Sequence, residues 1–129
     1  MKTYIVDIDG TLADLSHRLH HIQKEPKDWD AFFDGCEEDE PIQNVIDVVR
    51  QLGTTQGNRI VYLTGRPERV RGKTICWLSK NGLPERNLVM RKNGDHRPDT
   101  IAKRELLEKL QSEGHEIVGV FEDRPTIFA

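Results

Sequence analysis

Two aspartates, Asp7 and Asp9, stand at the end of a short run of β-favouring residues, TYIVDI at 3–8. Residues i and i+2 of a strand face the same side, so both carboxylates are predicted to reach one place. Carboxylates this close repel each other unless a cation bridges them, and a site made only of oxygen ligands favours Mg²⁺ over Zn²⁺. The pair therefore predicts a magnesium site in which one carboxylate is available as a nucleophile.

Polar residues also follow the other apolar runs. The runs predicted to be strands are residues 59–64, 87–90 and 116–121. Donors suited to phosphate oxygens lie at their ends or in the helix before the last run, at Thr64, Arg66, Arg91 and Lys103. Two more carboxylates, Glu122 and Asp123, follow the last run. A cation, phosphate donors and a spare carboxylate nucleophile together indicate phosphoryl transfer.

Helical patterns separate the runs and determine how the strand ends meet. These patterns cover residues 41–52, 67–82 and 98–114. Strands that alternate with helices predict an α/β fold, a doubly wound parallel sheet with right-handed crossovers. Ligands bind such sheets at the carboxyl ends of the strands, so the polar strand ends should converge at one edge.

The composition limits the class of protein. The chain has 129 residues, 36% of them apolar and 32% charged, with a formal net charge of −3. This excludes a disordered chain and predicts one domain over residues 1–129. No apolar run approaches the roughly 18 residues of a membrane span, and the acidic start of the chain is unlike a signal peptide. The only cysteines, Cys36 and Cys76, lack metal-ligand spacing, so we expect packed thiols in a cytoplasmic protein.

Residues 13–40 interrupt the alternation of strands and helices. They hold nine Asp and Glu against three Lys and Arg, whereas residues 66–104 hold eleven Lys and Arg against four Asp and Glu. We interpret the aromatic residues Trp29, Phe32 and Phe33 as packed core in preference to a base-stacking platform. His17 and His21 are four residues apart, but without a nearby third ligand we interpret them as surface histidines and not as a metal pair.

Four motifs resemble those of the haloacid dehalogenase (HAD) superfamily of phosphatases. DIDGTL at 7–12 resembles the first motif, DxDGT, and LTGR at 63–66 resembles the second. Lys103 lies where the third motif places its lysine, and FEDR at 121–124 resembles the acidic fourth motif. The motifs occur in the family's order and span nearly the whole chain. The resemblance implies a HAD-like Rossmannoid fold, with residues 13–40 as a small cap inserted after the first strand.

The same resemblance implies roles for the acidic residues. Asp7 is the expected nucleophile, which forms an aspartyl-phosphate, and Asp9 is the expected general acid and then base. Mg²⁺ would be held by Asp7, the Asp9 main-chain carbonyl and Asp123, with Glu122 as a further candidate. Thr64 and Lys103 would neutralise the phosphoryl oxygens.

A narrower resemblance concerns residues 90–103, MRKNGDHRPDTIAK. This stretch is similar to one in the phosphatase domain of phage polynucleotide kinase/3′-phosphatases, where an arginine lies eight residues before an aspartate and that aspartate lies four before the lysine. Arg91, Asp99 and Lys103 have this spacing. The resemblance implies that Asp99 orients Lys103. It also implies substrate contacts at Thr11, Gly65, Arg66, Arg91 and Arg97.

The resemblance implies a polynucleotide 3′-phosphatase that acts on phosphorylated nucleic-acid ends or nucleotides. It also implies, as a partner, a kinase or ligase that acts on the same ends. One departure is Glu122, which stands where the phage family has aspartate. Two alternatives stay open. One is a phosphatase or nucleotidase for a small phosphorylated metabolite, since only residues 91–103 indicate a nucleic-acid end. The other is a binding module for phosphate or nucleic acid, which the paired carboxylates at Asp7 and Asp9 disfavour.

Overall fold

The protein is described from a computed structural model that covers residues 1–95 and 97–122. The strands are β1 (Lys2–Val6), β2 (Ala13–Asp14), β3 (Glu40–Pro41), β4 (Asn58–Pro67), β5 (Leu88–Arg91) and β6 (Glu116–Phe121). The α-helices are α1 (Trp29–Asp34), α2 (Gln43–Thr54), α3 (Arg71–Lys80) and α4 (Asp99–Ser112). Three short 3₁₀ helices cover Ser16–His21, Cys36–Glu38 and Glu68–Val70.

Four parallel strands form the main sheet, in the order β5-β4-β1-β6. Val6, the last residue of β1, is paired with Tyr62 of β4 on one side and Phe121 of β6 on the other. The chain therefore extends the sheet from β1 through β4 to β5, then crosses to the far side of β1 for β6. This arrangement brings the carboxyl ends of β1, β4 and β6 together, as predicted.

The two faces of the sheet carry different helices. Val6 and Tyr62 pack with Ile46 of α2 and Trp77 of α3, and all four are essentially buried. On the opposite face, Ile5, Val61 and Leu63 pack with Leu110 of α4. Each large side chain buried this way contributes roughly 1.5–3 kcal/mol to stability. Helices on both faces confirm the predicted doubly wound α/β sheet.

One helix boundary differs from the prediction by more than two residues. The helix expected to begin at Pro67 begins instead at Arg71, after the 3₁₀ turn Glu68–Val70. Pro67 is the last residue of β4, has an extended ψ of 154° and is paired with Arg91 of β5. The fixed φ of proline suits an extended residue as well as the first turn of a helix, so the local pattern did not distinguish them.

The cap segment, residues 13–40, leaves and rejoins the sheet domain through one antiparallel pair. Ala13 of β2 is paired with Pro41 of β3, which closes the segment at its base. Within it, the rings of Trp29, Phe32 and Phe33 cluster with centroid separations of 5.2–6.0 Å. Phe32 is 6% exposed and fills the predicted core role, whereas Trp29 is 48% exposed and does not.

Among the residues that the structure describes, none of the helices has the length and apolar character needed to cross a bilayer. Both cysteines are free thiols: Cys36 is buried, as expected, whereas Cys76 is exposed, contrary to the packed role predicted for it.

Candidate active site

Asp7 follows β1 directly and lies at the carboxyl edge of the sheet. Its main-chain N–H donates to the Phe121 carbonyl at 2.8 Å, which ties it to the end of β6. Its Oδ1 accepts a hydrogen bond of 2.6 Å from Lys103 Nζ, and the same ammonium donates to Glu122 Oε2 at 3.2 Å. All three side chains are at most 5% exposed. Two carboxylates therefore share one ammonium group in a nearly dry site.

This environment makes the Asp7 carboxyl hard to ionise. Burial raises its pKa to about 8; the Lys103 ammonium opposes the rise and the Glu122 carboxylate adds to it. A further cation beside the two carboxylates would lower the pKa again, since it would favour the charged forms. The carboxylates of Asp7 and Glu122 thus offer two adjacent negative charges to a hard cation.

Asp9 reaches the same edge by a turn and not by strand periodicity, because β1 ends at Val6. Gly10 has a φ of +82°, which favours glycine, and the N–H groups of Leu12 and Ala13 both donate to the Ile8 carbonyl. The turn directs the Asp9 carboxylate to partners different from those of Asp7.

Two arginines hold the Asp9 carboxylate. Its Oδ1 accepts 2.7 Å and 2.8 Å hydrogen bonds from the Nη2 atoms of Arg66 and Arg18. Burial alone would raise the pKa of Asp9, but the two guanidinium groups more than offset burial and hold that pKa below its usual range. Asp9 is therefore an ionised carboxylate in this arrangement.

A second carboxylate, Asp39, lies behind the two arginines. Its oxygens accept hydrogen bonds of 2.8 Å and 2.7 Å from Arg18 Nε and Nη2 and one of 3.2 Å from Arg66 Nη2. His17 Nε2 lies 2.6 Å from Asp39 Oδ1. Both guanidinium groups and Asp39 are at most 1% exposed. This cluster joins the base of the cap segment to β4, and its two cations balance its two carboxylates.

Six of the predicted site residues line one cleft of about 260 Å³. They are Asp7, Asp9, Thr64, Gly65, Arg91 and Lys103. The other wall consists of apolar side chains from the cap segment, Leu15, Leu19, Ile22, Trp29, Phe32 and Phe33. The cleft therefore has a charged floor and an apolar roof, an arrangement that excludes water from a small polar substrate group.

Three other predicted residues lie outside this cleft. Arg66 is fully buried behind Asp9, where its guanidinium acts on that carboxylate. The Thr11 hydroxyl is buried and has no hydrogen-bond partner within the described part of the chain. Arg97 is exposed and forms an ion pair with Asp95, beside a neighbouring groove.

The predicted magnesium ligands fall partly outside the described residues. Asp123 is the predicted ligand that lies outside them. The side chain of Asp99, which was predicted to orient Lys103, also lies outside the described residues. Over residues 1–95 and 97–122, no three His, Cys, Asp or Glu side chains converge as a metal site. Asp7 and Glu122 do converge, at Lys103, and the Asp9 main-chain carbonyl is two residues from Asp7. This donor set contains oxygen only, which fits Mg²⁺.

The family of the chain is shown by a match over its full length. Residues 1–129 match the family described as the polynucleotide kinase PNKP phosphatase domain of the HAD type. The chain belongs to this family. Because the matching family is of the HAD type, the predicted superfamily membership is confirmed. The match also supports a phosphoric monoester hydrolase. No curated protein sequence gives a significant match.

Solved structures show the same fold as this PNKP-type domain. A chain in a structure of the Pnkp1/Rnl/Hen1 RNA repair complex matches with a TM-score of 0.80 and 26% identity, over 98% of this chain and 37% of that one. A second Pnkp1/Rnl/Hen1 structure gives 0.78 and 26%, over 98% and 40%. The class C acid phosphatase from Bacillus anthracis with tungstate bound gives 0.75 and 23%, over 99% and 54%. The chain spans less than half the length of the repair-complex chains.

Sequence reasoning missed two charged residues of this PNKP-type site, Arg18 and Asp39. Arg18 carried a weak signal, since it is a lone arginine among histidines and leucines in an acidic segment. Asp39 carried none, because it is one of nine acidic residues in that segment. Their importance appears only when Arg18 is found 2.8 Å from Asp9.

Proposed function

We propose that this domain is a Mg²⁺-dependent phosphatase that removes 3′-phosphates from polynucleotide or nucleotide ends through an aspartyl-phosphate. The observation that carries the proposal is the buried Asp7 carboxylate on the floor of the cleft, 2.6 Å from Lys103 Nζ, in a chain of the PNKP phosphatase family. A protein that only binds phosphate gains nothing from a carboxylate there, so the family match and this contact favour the enzyme over a binding module.

In the proposed first step, a carboxylate oxygen of Asp7 attacks phosphorus and the bond from phosphorus to the sugar oxygen breaks. The departing oxygen takes a proton from Asp9, which leaves a 3′-hydroxyl and phosphorylated Asp7. In the second step, Asp9 takes a proton from water while the water oxygen attacks phosphorus, which releases inorganic phosphate and restores Asp7. Such acid–base assistance contributes roughly 10²–10⁴-fold.

The proposed roles of Asp9 need its pKa to change during the cycle. As described, Asp9 is ionised between Arg18 and Arg66, which suits the base step. A substrate phosphate dianion beside Asp9 adds negative charge and so favours the protonated carboxyl that the acid step requires. Once the sugar has departed, Asp9 no longer needs to be protonated, and it can act as the base when water attacks.

The remaining proposed residues hold the phosphoryl group. Lys103 and Thr64 contribute an ammonium and a hydroxyl on the floor of the cleft, and Arg91 contributes a guanidinium at its edge. Asp7, the Asp9 main-chain carbonyl and Asp123 would hold Mg²⁺, with Glu122 as a further candidate. Mg²⁺ supplies charge neutralisation for the phosphoryl oxygens when bound. We also propose that Asp99, four residues before Lys103 on α4, orients that lysine.

The proposed substrate class rests on the family and on the basic residues beside the cleft. Similar chains occur in Pnkp1/Rnl/Hen1 RNA repair complexes, which supports a nucleic-acid end as substrate and a kinase or ligase as a functional partner. Arg91 at the cleft and Arg97 in the adjoining groove supply cations that a nucleic-acid strand would use. The free thiols at Cys36 and Cys76 are the basis for placing this activity in the cytoplasm.

The test compares initial rates on matched 3′- and 5′-phosphorylated oligonucleotides at fixed salt and fixed Mg²⁺. We expect release of phosphate from the 3′ end and nearly none from the 5′ end. Asp7→Asn is the control for contaminating phosphatases. Equal rates at the two ends would contradict the 3′ specificity and leave a general phosphatase of this family.

A small phosphorylated metabolite is the second candidate substrate. The observation in its favour is the size of the cleft, about 260 Å³ under an apolar roof. A panel of sugar phosphates and nucleotides, measured beside the oligonucleotides, distinguishes the two candidates by kcat/KM.

A further inference from the structure

A second groove, of about 500 Å³, adjoins the catalytic cleft. Four residues line both cavities, namely Trp29, Phe33, Gly65 and Arg91. The groove continues between the cap segment and the loop after β5, where Lys92, Asn93 and Gly94 line it. A ligand whose reacting phosphate lies in the cleft can therefore extend into the groove without crossing the cap.

One wall of the groove is a flat aromatic surface. The rings of Trp29 and Phe33 are stacked, with centroids 6.0 Å apart and planes 26° apart. Phe32 packs edge-on against Trp29 at 5.7 Å and is itself buried, so it supplies the core contact of α1. Trp29 remains 48% exposed at the groove. A large exposed ring in a concave site is suited to stacking on a planar ligand group.

The groove also carries cations. Four of its described lining residues are cationic, Arg69, Arg91, Lys92 and Arg97, and two are acidic, Asp30 and Asp95. Two of the arginines are each paired with two carboxylates, Arg69 with Asp30 and Asp34, and Arg97 with Asp95 and Glu105. Lys92 is exposed and makes no ion pair with any residue that the structure describes. An exposed ammonium beside an aromatic ring fits a phosphate next to a nucleobase.

The two walls of the groove are tied to each other. The Arg69 main-chain N–H donates to Asn93 Oδ1 at 2.9 Å, while its guanidinium pairs with Asp30 and Asp34 of α1. Lys73 Nζ donates to the Asp34 carbonyl at 2.8 Å. These contacts hold α1 above the loop after β5, so little ordering entropy remains to be lost when a ligand binds.

We propose that this groove binds the nucleotide immediately 5′ to the terminal one, with its base stacked on Trp29 and its diester phosphate at Lys92. The proposal rests on the proposed 3′-phosphatase function and adds a minimum substrate of two nucleotides for full affinity. A mononucleotide fills only the cleft. The base is recognised by its flat face, so the groove accepts any of the four bases.

The first test compares three substrates: a 3′-mononucleotide, a 3′-phosphorylated dinucleotide and the same dinucleotide with the inner base absent. With the inner base present we expect a KM lower by about 5- to 150-fold, the range of one stacked base. In Trp29→Ala the two dinucleotides should have the same KM, and in Trp29→Phe most of the difference should remain. Lys92→Ala should raise the dinucleotide KM, whereas Lys80→Ala, an exposed lysine outside the groove, should not.

The outcomes separate this proposal from the proposed function. If all three substrates are inert, the 3′-phosphatase function is wrong. If they are turned over but the inner base leaves KM unchanged, the function stands and the groove proposal is wrong. An equal rise of KM for all three substrates in Trp29→Ala would also overturn the groove proposal. Trp29 would then contact only the terminal nucleotide in the cleft.

A binding measurement needs no turnover. The 3′-hydroxyl dinucleotide product should quench tryptophan fluorescence of the wild-type protein through stacking on Trp29. In Trp29→Phe only Trp77 remains, which is 1% exposed in the core, and quenching should disappear. Equal quenching in both proteins would overturn the assignment. So would a phosphotyrosine peptide that binds more tightly than the dinucleotide, since it would make the groove a peptide site.

Discussion

Asp7 and Asp9 are two residues apart, yet their carboxylates have different charged partners. In the first cluster, the carboxylates of Asp7 and Glu122 both accept hydrogen bonds from the ammonium of Lys103. In the second, the Asp9 and Asp39 carboxylates alternate with the guanidinium groups of Arg18 and Arg66. Burial, with a smaller contribution from Glu122, raises the pKa of Asp7, whereas the two guanidinium groups outweigh burial and lower the pKa of Asp9.

The difference indicates that the two clusters have different roles, one in binding a cation and the other in positioning Asp9. The first cluster places two carboxylates side by side, so it is stabilised by a bound cation. The second is neutral without any ligand, so it can hold Asp9 in place throughout the cycle. Buried ion pairs of this kind cost desolvation but become strongly destabilising only when one partner is lost.

The largest effect should come from the first cluster. Asp7→Asn replaces the nucleophilic oxygen by an amide of the same shape, so kcat should fall by more than about 10³-fold. Stability should change little, because Lys103 keeps Glu122 as a partner. Initial rates and urea unfolding measure the two effects. Retention of more than a few per cent of activity would contradict a covalent mechanism at Asp7.

Breaking the second cluster should harm both stability and activity. Arg18→Ala leaves Asp9 and Asp39 with one guanidinium between them, and loss of one partner of a buried pair costs about 3–5 kcal/mol. Because Asp9 also loses its position, kcat should fall by about 10²-fold. Urea unfolding and steady-state kinetics measure these losses. Lys24→Ala, an exposed change in the same cap segment, is the matched control, and a similar result for both variants would contradict the assigned role of Arg18.

A milder change in the second cluster should act through the pKa of Asp9. Asp39→Asn leaves the arginines free to act on Asp9 alone, which lowers the Asp9 pKa further. One unit of lowering reduces the protonated fraction about tenfold, so kcat should fall by about that factor. The pH profile measures the cause: the limb that reports Asp9 should move to lower pH. A uniform loss with no shift of the profile would indicate a purely structural role for Asp39.

The smallest effect is a thermal shift with Mg²⁺. Binding to the folded state alone stabilises it, so Mg²⁺ should raise the Tm of the wild-type protein by a few degrees. The shift should vanish in Asp7→Asn but persist in Asp9→Asn, which keeps the main-chain carbonyl. Calorimetry should show weaker binding in Asp123→Ala than in Glu122→Gln. Loss of Mg²⁺ binding in His17→Ala would instead locate the ion in the cap segment.

The sequence was informative wherever a local pattern carries the structure. Near-continuous apolar runs predicted the sheet strands to within three residues of their observed bounds. In the interior strand β4 the run has no polar alternation because both of its faces are buried. The polar residues after these runs predicted the floor of the cleft, where Asp7, Thr64 and Lys103 do meet. The sequence by itself therefore determined the fold class and most of the floor of the cleft.

The tertiary structure decided which charges pair. Arg18 meets Asp39 across 21 residues, and Arg66 meets Asp9 across 57. It also decided that Trp29 is exposed at a groove while Phe32 is buried three residues later. Periodicity reports only which face of its own element a residue occupies. Which element that face meets depends on the packing of the whole chain, so ion pairs and grooves between distant segments become visible only in the folded molecule.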